Sequence, residues 1–504
     1  MGSFGSGGVD AYPADEHDLQ TYRDAEEAIA KMQWPVLVHA DKPHERLYIA
    51  ALDGTGNNMR KESPEYWSVV AKIHDQIAIR NEAEGPAISS GYVPGIGTQD
   101  NFISRTRDGI TGYTFEQRVE TAYLDFCEKS YAWLKQDPEA QIRVAGIGFS
   151  RGAEEVAALH RVIEERGIRN PESADVRRND DGIVTRVRYA DKPLLREPGQ
   201  TVQVAVLYDP VSTGVENIDQ NLRSSVVASL QLTAKDEWRD QFRSATHIAP
   251  GCSDDRRFCN ITVAGAHSDV GNTYSKNGLG ARSFNLGVDL LNALSDRPFL
   301  HKQVVPTDPS QIVVHRSDQH LMGLYTTREY DRTHERGRHT KVGGDDCPRQ
   351  GPVVEACDLR QPANAELSAS VPFRAVPITP VPDRATASDA PSARMEDARV
   401  ARPEATQASA QITFFPRTAL DDYLDAHCAA AERGDTAACS ALTREYAQTP
   451  QAQQMIQQGR DLYEAEQSRQ LEEQGHQERE QGMLRDRQQE HQQQEPTRSR
   501  GRSM

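Results

Sequence analysis

Apolar and polar positions follow one another in blocks that read as strands feeding helices. Leu47-Tyr48-Ile49-Ala50-Ala51-Leu52 is an apolar run of strand length, and it ends in the polar, glycine-rich Asp53-Gly54-Thr55-Gly56-Asn57-Asn58. Tyr66 to Glu82 reads as a helix, and Gly91 to Thr98 as a strand running into a loop. Phe115, Val119, Ala122, Tyr123 and Phe126 recur at helical spacing and predict a core helix over Phe115–Lys135. Ile142 to Gly148, Val202 to Tyr208 and Arg257 to Gly265 are further buried-strand patterns. Leu286 to Leu294 is a short apolar helix, and Ile312-Val313-Val314 a late strand. Strands alternating with helices predict an α/β fold over residues 46–340, a mostly parallel sheet with flanking helices.

The pattern changes on either side of that block. Residues 1–45 are polar, with one helix predicted around Leu19–Met32, and read as a leader or docking arm. Residues 167–200 are charged and loop-like, a surface insertion. Residues 341–412 hold many Pro, Ala and Ser and read as a linker or irregular arm. Residues 413–504 read as helical, first Ala-rich and then a Gln/Glu/Arg tract from Gln457 to Gln494. That tract is polar all round, so it has no face to bury; it is a solvated helix or disordered.

The strand over Ile142–Gly148 leads into Gly148-Phe149-Ser150-Arg151-Gly152, a G-x-S-x-G sequence, and a helix pattern rich in Ala and Glu starts directly behind it. Strand, sharp turn and helix are the context of a nucleophile elbow, with Ser150 as nucleophile and Gly148 and Gly152 letting strand and helix approach closely. The N–H of Arg151, at the helix start, is one oxyanion donor; Gly54 or Thr55, in the loop after the first strand, is the second. A phosphate-binding reading of that loop fails because G-x-x-x-x-G-K-[ST] is not there. Val202–Tyr208 delivers Asp209 to a strand end, and Arg257–Gly265 delivers His267. Together they complete the order Ser, Asp, His, with His267 as general base and Asp209 orienting it. Asp269 is placed to orient the same loop or to contact Arg151. His315, after the late strand, is the alternative base; His320, His334 and His339 are weaker ones, and His160 reads as structural.

Composition narrows the partners. With 75 acidic and 58 basic residues the formal charge is −17, which argues against nucleic acid. No stretch nears the ~20 apolar residues of a membrane span. The first residues lack the basic and apolar regions of a signal peptide, so export is expected by another route. MGSFGS fits a myristoylation pattern that a Gly/Ser leader also produces by chance. Seven cysteines include no C-x-x-C. Cys252 with Cys259, Cys347 with Cys357 and Cys428 with Cys439 are spaced to close local loops, but free thiols in a reducing cytoplasm are the preferred expectation. No clustered His/Cys/Asp spacing calls for a metal, and no cofactor is expected.

Five blocks agree, in order and spacing, with one known family: ALDGTGNN (51–58), YVPGIGT (92–98), GFSRGA (148–153), LYDPVSTG (207–214) and AGAHSDVGN (264–272). Over roughly residues 46–325 the chain resembles the α/β-hydrolase domain of type VI secretion lipase effectors of the first class. The resemblance implies a phospholipase A made in the bacterial cytoplasm and secreted without a signal peptide. Such an enzyme acts at the membrane or periplasm of a rival cell. It also implies membrane phospholipid as substrate, a secretion-apparatus component or adaptor as carrier, and a cognate immunity protein in the producer. Carried over by position, Ser150 is the nucleophile, Asp209 the acid and His267 the base. Asn272 stands where several relatives have a glycine, and the larger relatives' membrane-contacting domain has no counterpart here beyond the arm and tail. The Gln-rich tail is also similar to that of type IV effectors, without that secretion signature. Two other readings stay open: a soluble esterase or thioesterase on small acyl substrates, and a non-catalytic binding protein on the same fold.

Overall fold

Each apolar run forms a strand because its side chains alternate between two buried faces. The computed structural model describes residues 9–84, 87–95, 115–179, 182–190, 192–212, 221–239, 242, 244–319 and 363–381. In chain order the strands are β1 (Ala11–Pro13), β2 (Gln33–Pro35), β3 (Glu45–Leu52), β4 (Ile88–Val93), β5 (Gln141–Phe149), β6 (Ala174–Arg178), β7 (Val184–Tyr189), β8 (Gln203–Tyr208), β9 (Val226–Ala234), β10 (Gly251–Cys252), β11 (Phe258–Val263), β12 (Val313–His315) and β13 (Phe373–Ala375). The helices are α1 (Glu16–Ala30), α2 (Val69–Glu84), α3 (Phe115–Gln136), α4 (Arg151–Arg166), α5 (His267–Val270), α6 (Gly278–Ala293) and α7 (Ala365–Ala369).

Seven strands make the main sheet in the order β10-β11-β9-β8-β5-β3-β4. Every pairing is parallel except β10 with β11. Leu47, Ile49 and Ala51 of β3 pack on the face covered by α1, α2 and α6. Tyr48, Ala50 and Leu52 pack on the opposite face, under α3 and α4. An α/β sheet with helices on both faces is therefore what the alternation of elements predicts, and it is what forms. After β3 the chain lays β4 on one side and then β5 on the other. The strand order thus reverses between β3 and β5, and α/β sheets open a crevice at such a point. Their C-terminal ends deliver Asp53 and Ser150 into it.

Several segments differ from their sequence reading. Within the stretch read as a leader, Tyr22, Ala25 and Ile29 of α1, with Met32 and Trp34, are buried in the same core as the sheet. β1 pairs with β12 and β2 with β13, so residues 11–35 are part of this fold. The short polar helix α1 hides its role in sequence because only one stripe faces inward. Residues 167–200 contain the antiparallel hairpin β6–β7. β9 has no simple apolar run, because Ser229 and Gln231 interrupt it. Both are buried, and Gln231 is satisfied by the Ala245 carbonyl and the His247 N–H. Of the cysteines, Cys252 and Cys259 lie opposite one another in the β10–β11 register and form a disulfide. The free-thiol expectation therefore fails at this pair and holds at Cys127, which is buried and unbonded to another sulfur. Among the described residues no helix is long and apolar enough to cross a membrane. The expected rim over residues 101–113, the tail over 413–504, His320, His334, His339 and the other four cysteines lie outside the described residues.

Candidate active site

Ser150 sits between β5 and α4 with φ 58° and ψ −129°, a backbone region that ordinary side chains avoid. It is 3 % exposed, and its side chain makes no capping bond to its own helix. The turn is tight enough that both flanking glycines are required. A Cβ on Gly152 would strike the carbonyl oxygen of Leu52, and one on Gly148 the carbonyl of Gly152. The elbow predicted around Gly148, Ser150 and Gly152 is therefore present as geometry.

Register then brings the acid alongside. Phe149 of β5 pairs with Tyr208 of β8, so Ser150 and Asp209 leave adjacent strand ends together. The Ser150 N–H donates to the Tyr208 carbonyl at 3.0 Å. Asp209 also has a positive φ, 39°, and is fully buried. Its N–H donates to Leu232 O at 2.7 Å, and its Oδ1 accepts the Ala234 N–H at 2.9 Å. Both partners belong to β9, the strand hardest to read from sequence. The other oxygen, Oδ2, lies 2.6 Å from His267 Nδ1. An ionised Asp209 makes Nδ1 the donor and leaves Nε2 with its lone pair, the form a general base needs.

His267 opens α5 and is buried. Its ring stacks on Phe149, the residue before Ser150, with centroids 4.6 Å apart, and Phe242 meets it edge-on at 5.1 Å. The Arg239 guanidinium lies over the Phe242 ring at 3.4 Å. Burial holds the imidazole below its ordinary pKa. The Asp209 carboxylate and its hydrogen bond pull it up, Arg239 pushes it down and Glu237 pulls it up. Glu237 was not singled out from the sequence. It is buried, and it accepts the His267 N–H at 3.2 Å and the Ser317 hydroxyl at 2.8 Å. A carboxylate two residues from Arg239 in a polar stretch gives no signal that it will be enclosed.

The loop after β3 lies across the crevice from this group. Asp53 is buried; its Oδ1 accepts the Gly54 N–H and its Oδ2 the Tyr92 hydroxyl, each at 2.7 Å. Burial raises the Asp53 pKa against the pull of those bonds and of Ser68. Of the two oxyanion donors expected here, Gly54 therefore has its N–H engaged by a side chain. Thr55 is half-buried, and its Oγ1 accepts from Arg151 Nε at 2.6 Å. This ties the loop to the residue after Ser150. The Arg151 N–H is in the first turn of α4, where the helix itself offers no acceptor.

His315, the alternative base, belongs to a different pair. Its Nδ1 is 2.6 Å from Asp269 Oδ1, and Tyr274 stacks on its ring at 3.8 Å. Asp269 orients the loop, as one of its two expected roles required, by accepting the Ala266 N–H at 2.9 Å. His160 is enclosed on α4, and burial pushes it down to about 3.

The fold and these residues define the class: an α/β protein with a serine elbow and a buried Asp–His pair beside it. Residues 46–187 match a family described as "T6SS, Phospholipase effector Tle1-like, catalytic domain". Over that segment the chain is similar to the catalytic domain of a type VI secretion system phospholipase effector, as the five sequence blocks imply. The match includes the β3 loop and the elbow and ends before Asp209 and His267. Two solved structures are also similar. One is an uncharacterized protein from Pseudomonas aeruginosa, with 17% identity over 60% of this chain and 52% of that one, TM-score 0.34. The other is the Tle1 effector bound to the VgrG spike of the type 6 secretion system, with 17% identity over 48% of this chain and 52% of that one, TM-score 0.30. The chain thus spans about half the length of each. No curated protein matches.

Proposed function

We propose that the protein is a serine ester hydrolase of the phospholipase A type, acting on glycerophospholipids as an antibacterial effector. Ser150 Oγ attacks the acyl ester carbonyl while His267 Nε2 takes its proton, and Asp209 holds the imidazole through Nδ1. The tetrahedral oxyanion faces the N–H groups of Arg151 and Thr55, each donor lowering the barrier by roughly 3 kcal/mol. Collapse breaks the ester C–O bond, and His267 returns the proton to the departing lysophospholipid oxygen. Water, deprotonated by the same nitrogen, then splits the acyl-serine to free the fatty acid and regenerate Ser150. We assign this chemistry to residues 46–340 together with the packed segments 11–35 and 371–376, with the rest of 341–412 as arm and 413–504 as tail.

The observation that carries the reading is the 2.6 Å contact of Asp209 with His267, beside a serine held at positive φ. A secretion-apparatus component or adaptor as carrier and a cognate immunity protein as inhibitor belong to the same proposal. So does action at the membrane or periplasm of a target cell after secretion without a signal peptide. The test is fatty-acid release from phosphatidylethanolamine and phosphatidylglycerol liposomes. Wild type should release fatty acid, and Ser150→Ala and His267→Ala should each lower the rate by about 10⁴-fold or more. Release by the Ser150→Ala protein at the wild-type rate sinks the proposal.

A further inference from the structure

The turn that carries His267 is too short to hold its own shape. α5 has four residues, His267–Val270, and isolated helices of that length do not persist. Its N-cap is Ala266, whose side chain has nothing with which to cap. The missing cap comes from inside the turn: Asp269 Oδ2 accepts the Ala266 N–H at 2.9 Å. The same oxygen accepts the His315 N–H at 3.0 Å, and Oδ1 meets His315 Nδ1 at 2.6 Å. One buried carboxylate therefore ties the turn to β12 by two further bonds. Two residues on, Ser317 donates to the Glu237 oxygen that also accepts the His267 N–H. Residues 315–317 thus hold the His267 turn from both sides, and β12 is itself paired with β1.

The ring chemistry at position 315 shows what the position is for. Its Nε2 is buried and makes no hydrogen bond among the described residues. An orphaned buried nitrogen is a cost that phenylalanine, stacked on Tyr274 in the same way, would avoid. The feature that repays a histidine here is the Nδ1–H aimed at Asp269. We infer that His315 and Asp269 are a positioning pair, which holds the His267 turn so that its imidazole meets Asp209 and Ser150; this rests on the catalytic roles proposed above. His315 touches no substrate in this scheme and acts only through His267.

The test compares His315→Phe, which keeps the stack and loses the donor, with His315→Asn, which keeps a donor near Nδ1 and loses the ring. Two readouts are taken on the full chain: kcat and KM on phosphatidylglycerol liposomes, and the His267 Nδ1–H resonance by NMR, assigned by its loss in His267→Ala. The charged groups facing His267 are Asp209, Glu237 and Arg239, and the rings of Phe149 and Phe242 pack on it. In His315→Phe, kcat should fall about tenfold to a hundredfold with KM within about twofold, as for a catalytic group displaced by a fraction of an ångström. The resonance should shift or broaden. His315→Asn should recover both readouts to within about threefold of wild type. A folded His315→Phe protein with unchanged kcat and an unchanged resonance overturns the inference, as does an Asn variant no better than the Phe variant. If His315→Asn loses as much rate as His267→Ala while the His267 resonance stays put, His315 is itself the base and the inference is again overturned. Absence of Ser150-dependent release in wild type would sink the hydrolase reading alone, because the NMR comparison still decides the positioning role. Should His315→Phe fail to fold, Asp269→Asn takes its place with the same criteria.

Discussion

Two Asp–His pairs lie side by side in this molecule, and by contact distance they are the same: 2.6 Å from carboxylate to Nδ1 in each. Both are buried, and they interlock, since α5 carries the histidine of one pair and the aspartate of the other. Their surroundings separate them. Asp209 leaves a central parallel strand beside Ser150, and the His267 ring lies on Phe149. His315 sits on a three-residue strand that, among the described residues, pairs with β1 outside the main sheet, and its ring is covered by Tyr274. The lesson is that an Asp–His contact alone does not identify a base; the strand register that brings it to a nucleophile does.

The largest test of this distinction sets Asp209→Asn against Asp269→Asn in the liposome assay. The first should cost about 10⁴-fold in kcat, because the imidazole is left in the wrong tautomer. The second should cost about tenfold to a hundredfold, through displacement of the turn. Equal losses would erase the difference drawn between the two pairs.

Much of this site was legible in the chain. Gly148, Ser150 and Gly152 have to be close in space because they are close in sequence, and Asp209 and His267 each follow a run that reads as a strand. What was not legible is whatever depends on a partner far along the chain. Gly54 reads as a free donor until Asp53 folds back on it, and His315 reads as a candidate base until the fold sets its strand outside the main sheet, with Asp269, 46 residues away in sequence, on its Nδ1. β9 was hidden by the buried Ser229 and by Gln231, whose amide finds its partners at Ala245 and His247 only once the fold exists. The helix predicted around Leu19–Met32 is there as α1, but its polar outer face hid its place in the core. Its buried stripe, Tyr22 to Ile29, and the pairing of β1 and β2 with distant strands show that the N-terminal segment belongs to the core.

Next in size is the disulfide. Cys252–Cys259 ties β10 to β11, the strand that leads into α5, the turn that carries one member of each pair. Closing so short a loop is worth about 2 kcal/mol. Reduction, or the double change Cys252→Ser and Cys259→Ser, should lower the urea midpoint by a corresponding amount. It should move activity through stability alone, without favouring one pair over the other. A reduced protein with an unshifted midpoint would contradict this.

The Asp209–His267 pair also predicts a pH dependence. Burial holds His267 below its ordinary value of 6.5, and Asp209 only partly restores it. A base must be neutral to act, so kcat/KM should be level at neutral pH and fall as pH drops through the lowered pKa of His267. The loss should be about tenfold for each further pH unit. The acid limb should therefore lie below pH 6.5; a limb above it would mean that the titrating base is a group other than this buried imidazole.

The smallest effect expected is the one that ties the geometry most directly to function. Asp209, at φ 39°, has a side chain that tolerates a left-handed backbone, but Ser150, at φ 58° and ψ −129°, stands where only glycine is at ease. Such a conformation costs on the order of 1–3 kcal/mol, and glycine gives part of that back through a looser unfolded chain. Ser150→Gly should therefore raise the unfolding free energy by about 1 kcal/mol while abolishing release. Ser150→Ala, which keeps the Cβ and the strain, should abolish release with no such gain. The contrast separates the hydroxyl from the backbone that presents it. If both variants have the stability of wild type, the elbow stores no strain, and the serine is held there by its neighbours at no cost.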